Sequence, residues 1–183
     1  MGIANVPDPV EAYNRRTKAE GWKSVCDRTL AFDSPELIAG LKVWRDKSGD
    51  REMPARKDMD LRSVKAFLRN LLILECVRQP DGGMRYLVRL FGTGLVETAG
   101  GEATGRYMDQ LINPARLSRW VAGYETLLAE RKPLRIVSWF EMPHISYLKA
   151  ESLMAPLSDD AKTVTGIFVL SNFSSPHDVT PPA

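Results

Sequence analysis

Hydrophobic and polar side chains alternate along MRYLVRLF, residues 84–91. This period of two predicts a strand with one nearly pure apolar face, formed by Met84, Tyr86, Val88 and Leu90. The continuous apolar run at 71–77 is long enough for a central strand. Pro80-Asp81-Gly82-Gly83 separates the two runs and is a strong turn signal. The two strands are therefore predicted to form an antiparallel hairpin.

Three further strands are predicted near the C-terminus, at 134–142, 147–157 and 163–173. In the first of them, Leu134, Ile136, Ser138 and Phe140 alternate with Arg135, Val137, Trp139 and Glu141. Ser158-Asp159-Asp160 supplies the turn between the last two strands.

Helical periodicity is clearest after Asn113-Pro114, an N-cap followed by proline at the first helical position. The apolar face of this helix, predicted over 114–131, contains Leu117, Trp120, Val121, Tyr124, Leu127 and Leu128. Ser34-Pro35-Glu36 begins a second helix with an apolar stripe, formed by Leu37, Ile38, Leu41 and Trp44. Shorter helices are predicted after Asp8-Pro9 and after Asp58 or Asp60.

These elements divide the chain into four parts. Residues 1–33 form a polar, partly helical extension, 34–70 a helical lead-in, 71–173 the core domain and 174–183 a flexible tail. A length of 183 residues suits one domain with extensions.

The run YLVRLFGTGLVETAGGEATGRYMDQL resembles the middle of the PAS superfamily, and closely a bacterial stand-alone PAS family with the pattern "yR-GT-lve-G-d-tGr-l-l". The matching residues are Arg89, Gly92, Thr93, Gly100, Thr104 and Gly105. A second family pattern, "P-s-R-aDlDp", is matched by Pro54, Arg56, Asp58 and Asp60. The resemblance covers about 37–173. It implies an α+β fold, a PAS-like five-stranded antiparallel sheet with helices on one face, preceded here by an N-terminal helical extension.

Charge and cysteine content narrow the functional classes. A formal net charge of +2 is too small to indicate nucleic-acid binding. Cys26 and Cys76 are too few for a disulfide framework and have no metal-ligand spacing, which favours a reducing compartment. No membrane span or signal peptide is predicted, so we expect a cytoplasmic protein.

The sequence offers little catalytic chemistry. His144 lies in a predicted loop and His177 in the tail, and neither has a second metal ligand at a useful spacing beyond the isolated Glu141. Asp58/Asp60 and Asp159/Asp160 are read as a helix cap and a turn, and the basic residues at 51–69 as a solvated helix face. We expect no catalytic residue and no metal site.

The resemblance also allows two cofactor tests. Flavin-binding light sensors of the superfamily place a reactive cysteine in an "N-C-R-F-L-Q" stretch, whereas the similar location here, 105–111, contains none. Haem-binding PAS sensors place a histidine on the long helix, and 114–131 has none. Haem and a cysteine-adduct flavin are therefore not expected, and the cofactor is unknown.

A pocket between the sheet and the long helix is the remaining candidate site. The residues predicted to line it are Tyr86, Val88, Leu90, Met108, Leu111, Trp120, Tyr124, Val137, Trp139 and Met154. Tyr and Trp carry a polar atom that needs a partner when buried, so Tyr86, Tyr124 and Trp139 are where a small ligand could be hydrogen-bonded. The alternative is a core filled by these side chains alone.

The resemblance and the pocket together predict a non-catalytic sensory or signalling protein that binds a small molecule, a separate signalling protein, or both. An adaptor or dimerisation module with a filled core is the alternative, and a small enzyme ranks below both. The stripe containing Ile38 and Trp44 predicts a homodimer through the N-terminal helices, because soluble monomers rarely expose large apolar patches. Alternatively, the stripe covers the open face of the chain's own sheet.

Overall fold

The computed structural model describes residues 7–99, 101–142 and 145–174. The helices are α1 (Pro9–Ala19), α2 (Pro35–Ser48), α3 (Leu61–Val64), α4 (Thr93–Ala99) and α5 (Pro114–Glu130). Short 3₁₀ turns lie at Arg56–Asp58, Lys65–Asn70 and Met108–Gln110. The strands are β1 (Ser24–Asp27), β2 (Leu71–Arg78), β3 (Met84–Phe91), β4 (Leu134–Met142), β5 (Ile145–Leu157) and β6 (Gly166–Ser174).

The strands form one antiparallel sheet in the order β1-β4-β5-β6-β2-β3. The β2–β3 hairpin and the β4–β5–β6 meander follow the chain, and β2 joins them by pairing with β6. This α+β architecture confirms the predicted fold class.

Two apolar clusters lie on opposite faces of the sheet. The α5-side cluster contains Tyr124 and Leu127 of α5 together with Met154 of β5. The α2-side cluster contains Leu153 of β5, the next residue along the strand, which points to the other face. The sheet is therefore covered by helices on both faces.

Two glycines allow these helices to approach the sheet closely. A Cβ atom at Gly40 of α2 would lie 2.5 Å from Leu170 Cδ2, and one at Gly123 of α5 would lie 3.3 Å from Ile136 Cδ1. Both distances are tighter than normal packing, so a side chain at either position would displace the helix or its neighbour.

The fold differs from the prediction in two details. The sheet has six strands, because Ser24–Asp27, within the predicted polar extension, pairs with β4. In addition, α2 covers the face that was expected to lack helices: Leu37, Leu41 and Trp44 are buried there, whereas Ile38 is 54% exposed. The stripe thus covers the open face of its own sheet.

The N-terminal segment is fixed to the rest of the domain by hydrogen bonds. The predicted cap Asp8 accepts from the Glu11 backbone N–H at 2.9 Å. The Asn14 side chain donates to the Cys26 carbonyl and accepts from the Cys26 N–H, at 2.8 and 2.9 Å. Arg28 pairs with both Asp8 and Glu130, the last residue of α5.

Within the described ranges, no helix combines the length and apolar character that a bilayer span requires.

Candidate functional site

Helix α5 positions the candidate pocket. Asn113 caps it by accepting from the Arg116 N–H at 3.0 Å, Pro114 occupies its first turn, and Arg131 ends it in the left-handed conformation with φ of 57°. The inward face presents Trp120 and, one turn later, Tyr124 to the sheet.

The structure brings most of the predicted pocket residues together. Those in the α5-side cluster are Tyr86, Val88, Met108, Tyr124 and Met154, all buried, with Leu111 and Trp120 half-buried against them. Cys76 joins them because it lies opposite Tyr86 in the pairing of β2 and β3.

Leu90 is a correction to the predicted pocket, because it packs on the α2-side cluster instead. The pairing of β2 and β3 shifts between Ile73 and Leu74: Ile73 lies opposite Leu90, but Leu74 lies opposite Val88. Arg89 is therefore an extra residue in β3. Such a bulge reverses the inward and outward alternation beyond it.

Val137 and Trp139 are also misplaced in the prediction. In β4, Leu134 and Ile136 face α5, and Phe140 stacks near Trp120 with ring centroids 6.5 Å apart. Strand alternation places the intervening residues on the opposite face. The alternation along β4 shows which residues share a face of the strand. It does not show which of the two faces packs against α5.

The centre of the α5-side cluster is a pair of tyrosines. The rings of Tyr86 and Tyr124 are tilted by 54°, with centroids 4.7 Å apart. Tyr86 is 3% exposed and Tyr124 is 1% exposed. Burial raises the pKa of both hydroxyls. Electrostatic interaction with Cys76 raises both pKa values further, and interaction with Tyr86 also raises that of Tyr124. Burial likewise raises the pKa of Cys76 to about 12, so all three groups are neutral at pH 7.

Neither hydroxyl of this pair has a hydrogen-bond partner among the described residues. In the part of the chain that the structure describes, the buried side-chain polar atoms without a partner are Tyr86 Oη, Tyr124 Oη and Trp139 Nε1. Tyr13 provides a contrast within the same cluster: its buried hydroxyl bonds with Ser24 Oγ at 2.8 Å, and Ser24 Oγ bonds with Ser138 Oγ at 2.8 Å. Buried polar groups are normally satisfied, so two unsatisfied hydroxyls on neighbouring rings mark a candidate ligand position.

A cationic and aromatic group lies near the beginning of α5, and the sequence reasoning missed it. The Arg119 guanidinium lies 4.3 Å from the centroid of the Phe140 ring, beside the stacked Trp120. Helical periodicity placed Trp120 correctly, but a single arginine next to an apolar face gives no distinct sequence signal.

Ion pairs account for the arginines of β3. Arg89 pairs with Glu75 at 2.5 Å, and Arg85 pairs with Asp109 at 2.7 Å. Arg89, one of the residues that match the family pattern, is thus held by Glu75 of the neighbouring strand.

A buried carboxylate organises the other face of the sheet. Glu151 of β5 is 3% exposed and accepts from Arg135 Nε at 2.7 Å. It also accepts from the backbone N–H groups of Asp33 and Ser34 at 3.2 and 3.3 Å, just before α2. Arg135 in turn pairs with Asp27 at 3.0 Å. This Glu151 network joins β1, β4, β5 and the beginning of α2.

The remaining candidate sites show fewer features of a binding or catalytic site. An open cleft of about 410 Å³ is lined by Arg56, Lys57 and Asp159, and Asp159 already accepts from the Arg56 N–H at 3.1 Å. No group of three or more potential metal ligands occurs within 7–99, 101–142 and 145–174. His144 and His177 lie outside these ranges.

The structure is therefore an α+β domain whose antiparallel sheet has α1 and α5 on one face and α2 on the other, with an aromatic interior on the α5 side. Residues 32–170 match the PAS domain family. The chain belongs to the PAS domain family, and its fold is that of a sensory or signalling domain.

Comparison with solved structures found light-oxygen-voltage domains. A domain studied with a flavin analogue is 13% identical with a TM-score of 0.44, and the match covers 64% of this chain and 87% of that one. The light-state Aureochrome1 domain, a blue-light photoreceptor, is 12% identical with a TM-score of 0.40 and coverages of 63% and 88%. An RNA-binding light-oxygen-voltage receptor is 13% identical with a TM-score of 0.41; the match covers 82% of this chain but only 38% of the receptor. Comparison with curated proteins found no match.

Proposed function

We propose that this protein is a non-catalytic sensory module that binds a small molecule between α5 and the sheet, at Tyr86 and Tyr124. A change in occupancy would be transmitted to a separate signalling protein by association. PAS domains are typically sensory modules without enzymatic activity, and this proposal adds the position of the ligand.

The observation that carries the proposal is the pair of unsatisfied hydroxyls. A buried hydroxyl without a partner costs about 1–3 kcal/mol relative to one that remains hydrated. Tyr86 and Tyr124 both have such a hydroxyl among the described residues, and their ring centroids lie 4.7 Å apart. A ligand that hydrogen-bonds both hydroxyls would offset this cost, so binding gains from a penalty already present in the free protein.

An adaptor or dimerisation module with a filled core is the second candidate. The close approach of Gly123 to Ile136 and the direct contact of the two tyrosine rings favour it. A core of this kind would need no ligand, and its function would reside on its surface.

An enzymatic role ranks below both. The thiolate is the nucleophilic form of cysteine, and burial raises the pKa of Cys76 to about 12, which keeps it protonated. The carboxylates Glu75 and Asp109 near the cluster are held by arginines.

We infer that the ligand is neither haem nor a flavin bound through a cysteine adduct. The segment 105–111 has no cysteine and α5 has no histidine. The purified protein should therefore show neither the absorption bands of haem nor a flavin band that bleaches reversibly under blue light, and either observation would contradict this inference. A cytoplasmic location is part of the proposal, since both cysteines are free thiols.

Native mass spectrometry tests the proposal. The purified protein should carry a non-covalent extra mass that disappears on denaturation, and the double variant Tyr86→Phe/Tyr124→Phe should lack it. Tyr13→Phe is the matched control, because it removes a buried hydroxyl outside the pair and should retain the mass. A native protein of bare chain mass would favour the adaptor, and a mass retained equally by the double variant would place the ligand elsewhere.

A further inference from the structure

Arg119 differs in its environment from the other arginines that are withdrawn from water. It lies half-buried on α5, with its guanidinium over the Phe140 ring at 4.3 Å. Among the described residues, no carboxylate forms an ion pair with it. Arg135, by contrast, is held by Asp27 and Glu151.

The groups around Arg119 do not compensate its charge. Burial lowers the pKa of Arg119, and the neighbouring positive charge of Arg116 lowers it further. Tyr13 is the nearby group that acts in the opposite direction, but its own pKa is raised by burial, so its hydroxyl is neutral at pH 7. A partly desolvated guanidinium is normally paired with an anion, and the face of an aromatic ring replaces only part of that interaction.

The geometry also indicates the shape of a suitable anion. Trp120 and Phe140 stack with an interplanar angle of 27°, and the cation lies over the Phe140 ring of this aromatic pair. Trp120 belongs to the same inward face of α5 as Tyr124, one turn further along. A planar apolar body would contact these rings while an acidic group reached the guanidinium, whose forked donors match a carboxylate.

We propose that Arg119, Trp120 and Phe140 form a binding site for the carboxylate end of an aromatic organic acid. This inference rests on the proposed sensory function and specifies its ligand class: an organic anion whose planar body extends along α5 towards Tyr124.

The test uses two probes of equal shape that differ in charge, naphthalene-2-carboxylate and naphthalene-2-carboxamide. Isothermal titration calorimetry on the full-length protein should show at least about tenfold tighter binding of the carboxylate, since hydrogen bonds to a charged group are the stronger ones. Arg119→Gln should abolish this preference while leaving binding of the amide unchanged. Arg116→Gln removes one positive charge from an exposed position of the same helix and should preserve the preference.

Equal affinity of the native protein for both probes would overturn the anion site. A loss of preference in Arg116→Gln as large as that in Arg119→Gln would also overturn it, because it would indicate general charge attraction. Failure of both probes to bind also overturns the proposed anion site. Failure of the proposed sensory function is a separate result: native mass spectrometry would then find only the bare chain. Circular dichroism must show that both glutamine variants are folded.

Discussion

At the scale of single residues, two buried tyrosines in the same cluster have opposite hydrogen-bonding states. Tyr13 donates to or accepts from Ser24 Oγ at 2.8 Å, whereas Tyr124 Oη has no partner in the described structure. Both side chains are nearly inaccessible, at 4% and 1% exposure. The same Tyr→Phe substitution should therefore change stability in opposite directions.

Tyr124→Phe should raise the free energy of unfolding of the ligand-free protein by about 1 kcal/mol, because it removes an unsatisfied buried hydroxyl. Tyr13→Phe should lower it by about 1 kcal/mol, because it leaves the buried Ser24 hydroxyl with one partner fewer. Urea unfolding of each variant measures both values. A loss of stability in ligand-free Tyr124→Phe would show that this hydroxyl has a partner, and the basis for the ligand position would be lost.

The two thiols predict how stability changes at alkaline pH. Burial raises the pKa of Cys26 and of Cys76 from the ordinary value of 9.0 to about 12. Above pH 9 the unfolded chain releases these protons and the folded chain retains them, so the folded state loses stability as the pH rises towards 12. Below pH 9 neither state ionises and the thiols cause no pH dependence.

Each thiol should contribute up to about 1.4 kcal/mol of lost stability per pH unit in this window. Urea unfolding at pH 8, 9.5 and 10.5 should show a steeper decline for the native protein than for Cys26→Ala/Cys76→Ala. Parallel declines would mean that the thiols ionise equally in the folded and unfolded states.

Pocket residues could be predicted from sequence only where the local period persists. Alternation along β3 correctly groups Tyr86 with Val88, and helical spacing groups Trp120 with Tyr124. Beyond Arg89 the bulge reverses the alternation, so Leu90 is misplaced. The bulge depends on pairing with β2, which leaves no mark in the local pattern.

At the scale of secondary-structure elements, the Glu151 network fixes the beginning of α2 against the sheet. Ser34, the N-cap residue, makes no side-chain capping bond, and the Glu151 carboxylate instead accepts from the backbone just before the helix. Arg135, with 18% of its side chain exposed, balances the negative charge of Glu151.

Glu151→Gln should destabilise the protein by about 3 kcal/mol, because it removes the closest charge partner of a partly buried Arg135 and weakens acceptance from the backbone. Asp46→Asn is the matched control: it breaks the exposed Lys42–Asp46 pair and should cost about 0.5 kcal/mol or less. Thermal and urea unfolding provide the comparison. Equal small effects for the two variants would mean that the Glu151 network does not hold α2 in place.

Longer elements were predictable because their signals are local. Asp8, Asn113 and the prolines that follow them give the beginnings of α1 and α5 correctly, and Gly92 marks the end of β3, where a Cβ atom would collide with backbone oxygens of Leu68 and Arg69. The four residues of β1 carry no comparable signal. Their pairing with β4 and with the Asn14 side chain depends on residues that are distant along the chain, which the local pattern does not reveal.

At the scale of the whole molecule, dimer formation can be tested with two substitutions in α2, one at an exposed residue and one at a buried residue. Leu37, Leu41 and Trp44 are buried against the chain's own sheet, so they no longer argue for a dimer. Ile38, which was expected to share their face, is 54% exposed. A homodimer through the N-terminal helices therefore remains a prediction that depends on exposed residues such as Ile38.

If the dimer forms, Ile38→Glu should give a folded monomer, because a charge at this exposed position would be buried only in the interface. Trp44→Glu should unfold the domain instead, since its indole lies in the α2-side cluster and donates to the Pro156 carbonyl at 2.9 Å. Light scattering with circular dichroism distinguishes these results. A native protein that is monomeric at tens of micromolar would contradict the dimer.

The central claim is that the space between α5 and the sheet holds a small molecule hydrogen-bonded to Tyr86 and Tyr124. A crystal structure of the freshly purified protein tests this most directly. The account predicts non-protein electron density, larger than a water molecule, within hydrogen-bonding distance of both tyrosine hydroxyls. Two tyrosine hydroxyls hydrogen-bonded to protein atoms, with no such density beside them, would contradict it.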